Sequence, residues 1–315
     1  MPADISFVDR IIKGERAAVA RAISIVENEY PEAISMLRKL YPYTGKAYRI
    51  GITGPPGAGK STITNKLAKL YRNENKRIGI IAVDPTSPFT GGALLGDRVR
   101  MTDVELDEGV FIRSMASRGS LGGLSKKAKE VADILDASGC DFILMETVGV
   151  GQSELDIVRA SDTTVVVLVP ESGDSIQAMK AGLMEIADFF VVNKADRVGA
   201  DQAVMSIKMV LNFKPQADGW KADVIQTVAN EGKGIDLISE KIAAHRAFLE
   251  KGQSLTKKRE DRILERIRDL VGDRLRVEFW NDERKELLAS KIEQLVFHQT
   301  TPYDIVEQLL EYFKQ

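Results

Sequence analysis

Gly54-Pro-Pro-Gly-Ala-Gly59-Lys60-Ser61 fits the spacing G-x-x-x-x-G-K-[ST], and every residue type in it has a task if the ligand is a phosphate chain. Gly54, Gly57, Ala58 and Gly59 let backbone N–H groups converge on anionic oxygens, and a helix opening at Lys60 adds its partial positive charge. The Lys60 ammonium can reach β- and γ-phosphates. Ser61, with Thr62 beside it, offers a hydroxyl to Mg²⁺. A glycine-rich turn without a ligand would have no need of this context: the apolar YRIGIT run precedes it and an apolar-periodic run follows. The chemistry implied is binding of a nucleoside triphosphate.

The base is read by a second element. Asn193-Lys194-Ala195-Asp196 follows the apolar run DFFVV. A carboxylate at Asp196 can accept from the ring N–H and the exocyclic amine of guanine, a donor pair that adenine lacks. The stem of Lys194 would cover the base and Asn193 would brace the loop. A turn at Ala229-Asn230-Glu231-Gly232 can close over guanine as well. GTP and GDP are therefore expected rather than adenine nucleotides.

Three acidic residues end strands or loops on the same side. Asp84 closes IGIIAVD, Asp97 lies beyond TGGALLGD, and Glu146 closes FILME. Mg²⁺ takes oxygen ligands and keeps several waters, so Ser61 is expected as a direct ligand, with Asp84, Asp97 and Glu146 either bound directly or through water. The alternative for any of the three is an ordinary solvated or capping carboxylate, weighed highest at Asp97 and lowest at Glu146. Residues 85–101, 116–123 and 148–156 are glycine-containing stretches of the kind that a γ-phosphate orders. Hydrolysis asks the protein to place water and neutralise phosphoryl charge, for which Lys60 is suited and Gln152, Arg98 and Arg118 are further candidates. Low intrinsic turnover, stimulated by a partner, is the expectation.

Elements that could position these groups alternate along the chain. Strands are expected at 48–53, 77–84, 109–115, 141–147, 163–170, 188–194 and 222–229, and helices at 60–73, 124–138, 174–186 and 200–212. Continuous apolar strands separated by helices imply an α/β fold with a mostly parallel, doubly wound sheet. Ala18, Ala22, Ile25 and Val26, then Ile34, Leu37 and Leu40, recur at helical spacing, so residues 1–46 read as an N-terminal helical arm before a nucleotide domain at 47–250. Residues 251–315 read as a helical extension, with Ile263, Ile267, Leu270, Val271 and Leu275 forming one apolar stripe and Leu287, Leu288, Ile292 and Leu295 another. The stripes either close the core or form a dimerisation arm.

Composition narrows the remaining classes. The 315 residues are 44% hydrophobic and 29% charged, with 44 basic against 46 acidic side chains, so no global field attracts nucleic acid. Cys140 is the single cysteine, which fits a reducing, cytoplasmic setting. No run is long and apolar enough for a membrane span. His245 and His298 lie far apart in sequence and far from Cys140, leaving little for a transition-metal site.

Taken together, GITGPPGAGKST (51–62), VDPTSPFTGGALLGDRVRM (83–101), RGSLGG (118–123), ILMETVGVGQSE (143–154), VPESGDSIQAMKAG (169–182) and NKAD (193–196) resemble the accessory GTPases of adenosylcobalamin-dependent acyl-CoA mutases, the MeaB/MMAA group, also called ArgK or LAO/AO transport system kinases. The resemblance runs to about residue 300. It implies a metallochaperone-related P-loop GTPase, homodimeric through the C-terminal helices, that binds a cobalamin-dependent mutase, gates its cofactor and protects it. It further implies that Lys60 and Ser61 hold phosphates and metal, that Asp84, Asp97 and Glu146 serve Mg²⁺ and the switches, that Asn193 and Asp196 read guanine, and that residues 169–180 signal to the mutase. A small-molecule kinase and a nickel-type metallochaperone are the rival readings; the first needs an acceptor site and preferably ATP, the second a metal-binding tract.

Overall fold

The computed structural model describes residues 6–84, 104, 106–116, 127–147, 159–170, 183–213 and 219–314. Seven strands form one sheet: β1 (Tyr48–Thr53), β2 (Ile78–Asp84), β3 (Val110–Ala116), β4 (Phe142–Thr147), β5 (Thr163–Leu168), β6 (Phe189–Asn193) and β7 (Val224–Thr227). Their order is β3-β2-β4-β1-β5-β6-β7, and each neighbouring pair is parallel. This is the doubly wound α/β sheet expected from the continuous apolar runs, with strand ends within a few residues of the expected ones. β1 sits at its centre, with the chain leaving it towards β2 on one side and reaching β5 on the other. Such a reversal opens a crevice beyond the C-terminal ends of the strands.

Helices cover both faces, in chain order α1 (Phe7–Ile12), α2 (Arg16–Glu27), α3 (Ala33–Leu40), α4 (Lys60–Asn73), α5 (Ala128–Ala137), α6 (Leu183–Ile186), α7 (Ala200–Phe213) and α8 (Ile235–Lys251); α9 (Ser254–Phe279), α10 (Asp282–Val296) and α11 (Pro302–Lys314) follow in the chain. Strand residues alternate between the faces, as a period of two requires. Ile81, Val83, Ile143 and Met145 join α1–α3 and α5 in one core, while Tyr48, Ile50, Ile52, Ile78, Ile80 and Leu144 join α4 and α8 in another. The N-terminal helices do not extend away from the sheet: Ile11, Ala22, Ile23 and Leu40 are fully buried in the first core. Helix α1, which the sequence reading did not anticipate, is only six residues long, too short to show a period, and Ser6 caps it by accepting from the Asp9 amide at 3.2 Å.

Two buried polar networks fix β1 at the edge away from its glycine-rich end. Arg49 donates to Asp133 at 2.7 Å, its backbone N–H donates to Asp162 at 2.9 Å, and Asp136 accepts from the amides of Gly45, Lys46 and Ala47. Burial alone would lower the Arg49 guanidinium, but Asp133, Asp136 and Asp162 outweigh it and hold it above its usual pKa. The Tyr48 hydroxyl lies 2.6 Å from Thr163 Oγ1, which lies 2.8 Å from His245 Nδ1. Burial raises the Tyr48 phenol, keeping it neutral and able to donate.

Residues 1–255 form one compact unit and 256–315 a second. In the second, the Arg284 guanidinium lies over the rings of Phe279 and Phe313, Asn281 caps α10, and Ile305 and Leu309 are buried. Ile263, Ile267, Leu270, Val271 and Leu275 of α9 remain between 44% and 52% exposed. Among the described residues no helix is long and apolar enough to cross a membrane.

Candidate nucleotide site

The loop between β1 and α4 sits where the sheet reverses. Its backbone takes conformations that only glycine adopts readily: φ is +137° at Gly54, +75° at Gly57 and +90° at Gly59. At two of these positions space is as restrictive as torsion. A Cβ on Gly54 would lie 2.0 Å from the Val167 carbonyl oxygen of β5, and one on Gly59 would lie 2.2 Å from the Asn193 amide nitrogen. The loop is therefore pressed against β5 and β6, its amides positioned by the sheet behind it.

Lys60 opens α4 and is 6% exposed, with its ammonium donating to the carbonyls of Gly54 at 2.8 Å and Pro55 at 3.0 Å. The cation thus arches back over the loop. Ser61, one residue on, donates to Glu146 Oε1 at 2.5 Å. Glu146 is 4% exposed and lies in β4, in register with Ile52 of β1 and Ala82 of β2. Thr64 Oγ1 lies 3.2 Å from the other oxygen of Glu146, and Thr147 Oγ1 lies 3.0 Å from Thr53 Oγ1. A serine hydroxyl and a carboxylate side by side at a helix N-terminus are an oxygen donor set, the chemistry that Mg²⁺ requires.

Asn193, at the end of β6, joins three segments. Its amide nitrogen donates to the Ala58 carbonyl at 2.8 Å, and its oxygen accepts from Thr227 Oγ1 and from the Ala229 N–H, both at 3.1 Å. Lys194 follows with φ +57°, a left-handed residue that turns the chain sharply, and the Ala195 N–H closes the turn on the Thr227 carbonyl at 3.0 Å. Asp196 is exposed beyond it. Ala229 is 1% exposed and starts a 3₁₀ turn ended by Gly232 at φ +76°. Phosphate loop, tetrad and post-β7 turn are consequently one connected edge.

Of the expected site residues, Gly54, Gly57, Ala58, Gly59, Lys60, Ser61, Thr62, Glu146, Asn193, Lys194, Asp196 and Ala229 all lie in segments at the C-terminal edge of the sheet. Asp84 ends β2 at the same edge. Asp97 lies outside the described residues, as do Arg98, Arg118, Gln152 and most of the stretches expected to switch. Among the described residues no cluster of three or more His, Cys, Asp or Glu forms a metal site. Thr64 and Thr227 were not singled out from sequence. The signal for Thr64 was present: it stands three residues after Ser61, on the same face of a helix.

A parallel sheet carrying this loop, the Ser61–Glu146 pair and a base-side tetrad bound to the loop defines a P-loop GTPase. The chain belongs to the family described as Methylmalonyl Co-A mutase-associated GTPase MeaB, whose model matches residues 19–284. It is 54% identical to a putative GTPase of Pyrococcus horikoshii over 84% of either chain, and 38% identical to the GTPase ArgK of Escherichia coli over 83% of this chain and 81% of that one. A crystal structure of an LAO/AO transport system kinase is similar along 98% of this chain and 97% of its own, with 29% identity and a TM-score of 0.76. The chain accordingly binds guanine nucleotide and hydrolyses GTP.

Proposed function

We propose that this GTPase serves as a chaperone of a cobalamin-dependent acyl-CoA mutase, with methylmalonyl-CoA mutase as the first candidate client, using GTP hydrolysis to gate cofactor loading and to protect or reactivate the mutase. The observation that carries the reading is the family match over residues 19–284, since that family is described by its association with methylmalonyl-CoA mutase.

In this proposal Gly54, Gly57, Ala58, Gly59, Lys60, Ser61 and Thr62 hold the phosphates, while Asn193, Lys194, Asp196 and Ala229 hold guanine. Lys60 neutralises charge spreading onto the phosphoryl oxygens, and Glu146 and Asp97 complete the catalytic set. Ser61, Asp84, Asp97 and Glu146 would hold Mg²⁺, which supplies a further positive charge to the phosphates when bound. The Ser61–Glu146 pair supports that assignment, because the bond to Glu146 occupies the Ser61 proton and leaves lone pairs for a cation.

The proposed division is 1–46, 47–250 and 251–315, with the last segment holding a cytoplasmic homodimer. The half-exposed stripe of α9 supports a dimer.

The test is GTP hydrolysis by wild type and Lys60→Ala, with and without the mutase of the same organism. Stimulation in wild type that is lost in the variant is the expected result, with basal turnover falling on the order of a hundredfold or more in Lys60→Ala. Turnover indifferent to every mutase, together with phosphorylation of a small metabolite, would replace the chaperone reading by a kinase.

A further inference from the structure

We propose that Thr64 is a positioning residue of the GTPase centre, fixing the angle at which the Glu146 carboxylate meets Ser61. This rests on the proposed metal role of Ser61 and Glu146. Thr64 is fully buried on α4, three residues after Ser61 and on the same helix face. Its Oγ1 lies 2.9 Å from the Lys60 carbonyl and 3.2 Å from Glu146 Oε2, while Ser61 Oγ lies 2.5 Å from Glu146 Oε1. The two hydroxyls thus address the two oxygens of one carboxylate.

The terminal torsion of a glutamate is broad, so one hydrogen bond fixes one oxygen and leaves the plane of the group free to turn. A donor on the other oxygen opposes that turning. The hydroxyl of Thr64 has one proton and two acceptors within reach, the helical carbonyl four residues back and the carboxylate. Back-bonding to a carbonyl four residues earlier is the ordinary habit of a helical threonine, whereas proximity to a buried carboxylate is particular to this site. With the Thr64 proton on Glu146, the carboxylate is held at two points and the Ser61 proton stays committed to Oε1. Ser61 then keeps its lone pairs available to a cation. With the proton on Lys60, the carboxylate keeps its bond to Ser61 and loses this donor on Oε2. Supporting contacts of this kind hold metal-binding groups in productive geometry and are worth roughly 10–100-fold in metal affinity or activity.

The experiment compares wild type, Thr64→Val, Thr64→Ser and Thr64→Ala. Release of a fluorescent GDP analogue is followed while Mg²⁺ is titrated and again in EDTA, alongside GTP turnover against Mg²⁺ and thermal melting. Thr64→Val, nearly isosteric and without the hydroxyl, is expected to need about tenfold more Mg²⁺ for half-maximal slowing of release, with GDP affinity in EDTA unchanged. Thr64→Ser is expected to restore the wild-type Mg²⁺ dependence. If Thr64→Val does not fold, the Thr64→Ser and Thr64→Ala pair makes the same comparison of hydroxyl present and absent. Wild-type Mg²⁺ dependence in the variants lacking the hydroxyl, or a serine variant as impaired as they are, overturns the proposal. A wild-type protein whose nucleotide binding and turnover ignore Mg²⁺ overturns instead the metal reading on which it rests.

Discussion

At Gly54 the backbone and the neighbouring strand impose the same choice. Its φ of +137° is one that side-chain-bearing residues rarely adopt, and the atom that a Cβ would meet is a backbone oxygen of β5, which cannot swing aside. Gly54→Ala is expected to cost on the order of 3 kcal/mol and to abolish nucleotide binding, read by denaturant unfolding and by GDP titration. Asn193→Ala should act differently. It strips partners from the Ala58 carbonyl, the Thr227 hydroxyl and the Ala229 N–H, so a loss of roughly 1–3 kcal/mol is expected, together with weaker binding of guanosine and of inorganic phosphate groups alike. Asparagine in an N-K-x-D tetrad was legible as a brace. That the same amide also reaches Ala58 was not, because the two are brought together only by the pairing of β1, β5 and β6. Burial pushes the Cys140 thiol up from 9.0 to about 11. The folded state therefore holds this proton more tightly than the unfolded chain, and the stability it contributes is complete below pH 9 and lost as pH climbs towards about 11. Cys140→Ala should flatten that part of a plot of urea midpoint against pH, by on the order of 2 kcal/mol across the window.

Among the elements, α4 illustrates how local pattern and tertiary need coincide. Its apolar side, Ile63, Leu67 and Tyr71, packs on the sheet, and its N-terminus presents Lys60 and Ser61. The burial that holds the helix also raises the Tyr71 phenol to about 12. Such spacing is readable from sequence, as were all seven strands, because buried strands are continuous apolar runs. What periodicity does not reveal is which sheet face a helix covers. The N-terminal helices read as an arm, yet α2 buries Ala18, Val19, Ala22, Ile23, Ile25 and Val26 in the core that holds Ile81, Val83, Ile143 and Met145. Removing residues 1–40 would bare those strand residues to water. The truncated chain is expected to be insoluble or to lack a cooperative melt, rather than to survive as an active GTPase; a soluble product with wild-type turnover would show that this layer is dispensable.

On the scale of the whole molecule, the two units differ in how completely they bury apolar side chains. The larger closes its cores between helices and sheet, whereas the α9 stripe stays half exposed. If a second copy covers that stripe, Leu270→Glu should shift the mass measured by light scattering from dimer to monomer while basal GTP turnover remains that of wild type. Sheet order has another consequence, one of timing. β1 and the phosphate loop are made early, but the strands flanking β1, β4 and β5, follow only at 142–147 and 163–168, and the amide that ties the loop down comes at Asn193. Synthesis runs from the N-terminus, so a ribosome carrying the first half of this chain displays a phosphate-binding sequence without the β5 and β6 residues, Val167 and Asn193, against which the loop is pressed. Nascent chains arrested before and after β6 emerges would differ sharply in their capture of guanine nucleotide: the machine becomes able to hold its fuel only when the chain has passed its middle.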